Sequence, residues 1–143
     1  MPESFDERRR RLTIERNLCT INGEECWCDI ISPEMEPKIP NFVGLIDLEK
    51  NEFFISVDVP RKFRRPMIAH ELHCLSHMRQ GHAGHCISAV EVELGYVMPS
   101  DRTEYLTLRR KLFDDLIVFH EALGNAKLVA ELTASRDFLY AIN

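Results

Sequence analysis

The chain has no run of about 18 apolar residues, so no stretch of it offers a bilayer-crossing helix. It also lacks an apolar core behind the start: MPESFDERRRR carries charge where a secretory leader needs hydrocarbon, which argues against export. No internal repeat or low-complexity tract is present. Positive charge is not in excess, because 18 Lys and Arg against 23 Asp and Glu leave a net charge of -5. That balance argues against broad nucleic-acid binding. The basic clusters at 8–11 and 61–65 are local exceptions, and runs of this kind are commonly solvated faces. Cysteine is present in odd number, five, without a leader, which points to reduced thiols in a cytoplasmic setting.

A chain of 143 residues with 45% hydrophobic and 29% charged content is expected to be one soluble domain with its own core. Residues 3–18 read as a polar N-terminal helix with Phe5, Leu12 and Leu18 as a thin apolar stripe, placing a possible helix at 1–18. From 17 to 31 the pattern is β-like, with Asn22-Gly23 as a hairpin turn signal. Alternation sends the thiols of Cys26 and Cys28 to one face and Trp27 to the other. A pair of this kind is a weak zinc signal, and buried reduced cysteines are its commoner outcome. Three prolines (Pro33, Pro37, Pro40) mark 32–41 as a loop. FVGLIDL and EFFISVDV follow as a second hairpin, completing a β region at 19–59. Pro60 ends its last strand and Pro66 suits a helix start. Beyond lie four predicted helices, at 67–79, 84–98, 102–124 and 126–141. Strands followed by helices predict an α+β fold, antiparallel hairpins packed on a C-terminal helical part at 67–141.

The chemistry-bearing stretch is PMIAHELHCLSHMRQGHAGHC, residues 66–86, which holds five of the six histidines and two cysteines. Its centre reads His70-Glu71-Leu72-His73-Cys74, one residue from the HExxH pattern. In that pattern two histidines one helical turn apart bind zinc and the glutamate serves as general base. On a helical wheel with His70 at zero, Cys74 falls near 40°, His77 near 340° and His73 near 300°, at about 100° per residue. Ile68, Leu72 and Leu75 fall opposite, so nitrogen and sulfur donors segregate from the aliphatic face. The bland alternative is a polar helix surface. A second metal geometry would use His73 and His77, leaving Glu71 badly placed as base.

A third ligand must come from another element. In SAVEVELGYVM, Glu93 falls within the apolar arc of its helix, and a buried carboxylate needs a partner. Zinc on His70 and Cys74 would be one, and an arginine such as Arg109 or Arg110 would be another. Glu93 is therefore the first candidate for third ligand, with Glu91, His77, His85 and His120 as alternatives. His82 and His85 sit in a glycine-containing turn. His120 lies with Leu112, Phe113, Leu116 and Leu123, as a core histidine, a downstream zinc ligand or a donor to a developing oxyanion.

The order of hairpin, basic linker, AHEL helix and acidic helix resembles the minimal zincin metallopeptidases, most of all the ImmA/IrrE type. Arg64, Arg65, Ile68, Ala69, His70, Glu71 and Leu72 match its active helix, and ELGYVMP at 93–99 is similar to its acidic helix ending in Met-Pro. The resemblance covers 42–99. It implies His70 as zinc ligand, Glu71 as base and Cys74 as a substituted ligand. The expected function is zinc-dependent hydrolysis of a peptide bond by a small cytoplasmic metallopeptidase, with Glu71 catalytic and His70, Cys74 and Glu93 holding Zn2+. The alternative is a non-catalytic binding or regulatory protein on a degenerate zincin scaffold, its metal structural or absent. Either way the expected partner is a peptide or protein, with no membrane, and the charge balance argues against nucleic acid.

Overall fold

The computed structural model describes residues 2–47, 49–79 and 86–142. Among the described residues the fold is α+β, with one helix and a four-stranded sheet preceding four further helices. The first helix, α1 (Phe5–Leu12), starts at a capping box. The Ser4 hydroxyl accepts from the Glu7 amide at 3.1 Å, and the Glu7 carboxylate accepts from the Ser4 amide at 3.4 Å. Asp6 and Glu7 in its first turn and Arg9, Arg10 and Arg11 in its last complement the helix dipole.

This helix is shorter than the predicted one. At Thr13 the chain leaves helical geometry, and the Thr13 hydroxyl donates to the Arg9 carbonyl at 2.6 Å. From there β1 (Thr13–Ile21) pairs antiparallel with β2 (Glu24–Ile31). A ladder along the whole strand outweighs a helix whose apolar stripe held only three residues. The turn falls at Asn22-Gly23, as the sequence signals, with φ of 51° and 80°. Two consecutive positive φ values suit the right-handed twist of the strands. After a short 3₁₀ turn at Pro33–Met35, β3 (Val43–Asp47) and β4 (Glu52–Ser56) form the second hairpin.

The hairpins are not separate. Parallel pairing of β2 with β4, from Trp27↔Glu52 to Ile31↔Ser56, joins them into one mixed sheet of order β1-β2-β4-β3. Strand alternation then sorts the side chains. Asp29 and Phe54 share one face, which α1 covers: Arg9 Nη1 reaches Asp29 Oδ2 at 2.6 Å, and the Phe5 ring meets Phe54 edge-on at 5.9 Å. Arg9 is therefore buried, contrary to a wholly solvated arginine run. Gly44 lies opposite Phe54, whose ring fills the space a side chain would occupy.

Cys26, Cys28, Phe53 and Ile55 point to the other face, where they join one core with Phe63, Met67, Ile68, Leu72 and Leu75 of α2 (Arg61–Arg79). That helix begins earlier than its proline suggested. Pro60 stands just ahead of it, with the Phe63 amide donating to the Pro60 carbonyl at 2.9 Å. Pro66 is then inside the helix, where its missing N–H leaves the Lys62 carbonyl without its usual donor. The remaining helices are α3 (Cys86–Leu94), α4 (Arg102–Ala122) and α5 (Ala126–Ala141). Val90, Leu106, Phe113, Ile117, Leu132 and Leu139 form a second core among them. α3 stops short of the predicted 98, because Gly95 and Tyr96 close it with turn hydrogen bonds to Val92 and Glu93.

Candidate functional site

Because α2 packs on the sheet with Ile68, Leu72 and Leu75, its opposite face turns toward α3 and α4 rather than solvent. His70, on that face, is only 4% exposed. Its Nδ1 lies 2.8 Å from Glu93 Oε1, and Glu93 has no exposed surface. The apolar arc that singled out Glu93 in the sequence thus places it at the junction of three helices.

Glu93 is shared. Tyr105 Oη donates to Oε2. Arg109 Nη2 donates to Oε1 at 3.2 Å, while Arg109 Nε pairs with Oε2 at 2.9 Å. Tyr105 and Arg109 are one turn apart on α4 and both are buried. Burial pushes the Glu93 carboxyl up, but Arg109, His70 and the hydrogen bonds from His70 and Tyr105 more than offset it, so the carboxylate form is held. Burial likewise raises the Tyr105 phenol well above its ordinary value, with Arg109 opposing and Glu93 adding, so it stays protonated and donates. For Arg109 burial works against the charge, and Glu93 overcomes it. Its guanidinium also lies over the Phe113 ring at 5.2 Å.

The other expected site residues are dispersed. Glu71 and Cys74 are half-buried on α2, Cys74 one turn after His70. His73 is turned aside, its Nε2 3.1 Å from Ser88 Oγ, at the wall of a cleft of about 140 Å³ under the β1–β2 turn. Glu91 is exposed. His120 is about 16 Å along α4 from Arg109, at 1.5 Å per residue, with Nδ1 3.3 Å from Asn125 Nδ2 at the α4–α5 turn. His82 and His85 lie outside the described residues, as does the side chain of His77.

Glu93, expected as the third metal ligand, is engaged by protein groups instead. Both its oxygens are engaged, and a dication at either would stand beside the Arg109 guanidinium. Among the described residues, no three His, Cys, Asp or Glu side chains are grouped to hold a metal ion. Arg109 is one of the two partners the sequence offers Glu93, and Tyr105 is a further one. Its signal was the spacing Tyr105, Arg109, Phe113, one stripe of α4 at helical period.

Compared with family models, curated proteins and solved structures, the chain matches none.

Proposed function

We propose that the chain is a non-catalytic binding protein for a peptide or protein partner, built on a degenerate zincin-like scaffold. The observation that carries this reading is the saturation of Glu93 by His70, Tyr105 and Arg109. The AHEL helix then acts through packing: its donor face ties α2 to α3 and α4. An exposed apolar cross-strand pair, Leu18 at 49% and Trp27 at 40% exposure on edge strand β1 and its neighbour β2, is surface of the kind partners cover.

A second reading, zinc-dependent peptide hydrolysis, draws on one distance. Metal-ligating histidines commonly give their other ring N–H to a carboxylate, and His70 Nδ1 stands 2.8 Å from Glu93. In that reading Glu93 orients His70 rather than ligating. His70 and Cys74 would hold the ion, which would supply Lewis-acid activation of water, and Glu71 would be the base.

Metal content and peptide hydrolysis, measured on untagged protein purified without added metal, separate the two. The binding reading expects no hydrolysis from wild type or from Cys74→His, and no zinc that depends on His70. Zinc near one per chain that is lost in His70→Ala, with hydrolysis raised by Cys74→His and removed by Glu71→Gln, would replace it with the enzyme.

A further inference from the structure

On the α2-facing side of the first hairpin, Cys19 of β1 stands directly opposite Cys26 of β2, whose thiol donates to the Glu24 carbonyl at 3.9 Å. Counting from the two-residue turn, where Ile21 faces Glu24, the pair falls at a hydrogen-bonded ladder position. Such positions separate Cα atoms by about 5.5 Å, inside the disulfide range of roughly 4.4–6.8 Å. Cys28 projects to the same face but cannot compete. As the second neighbour of Cys26 along one strand its Cβ is about 6.6 Å away, and it is diagonal to Cys19 at about 7–8 Å, both beyond bridging reach.

We propose that Cys19 and Cys26 close to a reversible disulfide, a modification site that takes a peroxide as its oxidant. The two thiols differ in access. Cys19 is half-buried, whereas Cys26 has no exposed surface. Peroxide therefore meets Cys19 first. Its sulfur attacks one peroxide oxygen, the O–O bond breaks, and Cys19 becomes a sulfenic acid with release of one water. The Cys26 sulfur then attacks the Cys19 sulfur, the S–OH bond breaks, and a second water leaves with the Cys26 proton. Two thiols are oxidised by two electrons and one peroxide is reduced to two waters. Burial raises the Cys19 thiol above its ordinary value and Arg65 offsets only part of that, so its lead over Cys26 rests on access. Burial pushes Cys26 up to about 12, so it is the resolving thiol and not the first to react. A bridge across a hydrogen-bonded pair is strained, and strained disulfides are the readily reduced ones. The bond would tighten the hairpin next to Asn22 and Glu24, which line the cleft against α2 and α3.

The test is mild oxidation of the folded full chain with hydrogen peroxide, alkylation of remaining thiols, cleavage at Glu24 and Glu25, and mass mapping. The expected product is a Cys19–Cys26 cross-linked peptide pair, two hydrogens lighter, that dithiothreitol separates. Cys28→Ser keeps it, and Cys19→Ser and Cys26→Ser each lose it. The wild-type map stands alone should a variant fold poorly. No bond after oxidation, a Cys26–Cys28 or Cys19–Cys28 bond in its place, or Cys19 running on to sulfinic acid would each overturn the proposal.

Discussion

Arg109 and Glu93 meet without solvent, Nε 2.9 Å from Oε2, at the point where α2, α3 and α4 converge. Neither charge could stay there alone, since an uncompensated buried ion costs several kcal/mol. The pair is thus a condition of the helical packing.

Arg109→Leu should destabilise the chain by about 3–5 kcal/mol, because it leaves the buried Glu93 carboxylate without its guanidinium, with only His70 and Tyr105 beside it. Adding Glu93→Leu should recover much of the loss. Denaturant unfolding of the two single variants and the double variant measures this. Additive losses would show that the two side chains do not depend on each other.

Glu93 also sets an acid limit. Its carboxyl is held below the ordinary carboxylate value in the folded chain. A lowered folded pKa adds stability above the unfolded value, and that share is lost as pH falls through the folded one. Wild type should therefore weaken steeply on the acid side of the ordinary carboxylate range. Glu93→Gln should be weaker at neutral pH but show a flatter acid slope. Thermal unfolding followed from neutral to acid pH reads the slopes directly.

Gly44→Ala should cost about 1–3 kcal/mol. Its Cβ would come within 2.6 Å of the Phe54 ring, which is itself held by Phe42 and Phe5. Phe54→Leu in the same background should restore part of the loss, as a chemical denaturation series would show.

Ser4→Ala removes the cap of α1 and should cost about 1 kcal/mol. Because α1 covers Asp29 and Phe54, the loss should appear as faster amide exchange in residues 5–12. Unchanged exchange there would mean that packing alone holds the helix.

The parts of the fold written in local periodicity were legible. The Asn22-Gly23 turn, the second hairpin, the long helix from 102 and the last helix at Ala126–Ala141 all follow from turn chemistry and spacing. The burial of Glu93 was legible too, since it needs only one helical wheel. What was not legible depends on the partner across space. The polar stretch from Thr13 becomes a strand only because β2 lies beside it, and Arg9 is buried only because Asp29 waits beneath α1. At the site, the wheel showed which residues share a face but not what that face meets. His70 meets a carboxylate already claimed by Arg109 and Tyr105, where an open zinc position was expected.

The parallel seam between β2 and β4 has a kinetic consequence. Each hairpin closes over a handful of residues, but the seam joins Trp27 to Glu52 and completes the sheet only after the intervening loop has been closed. Non-local pairing of this kind slows folding. The seam is therefore the natural late step, and until it forms, both hairpins leave edges open to association with other chains.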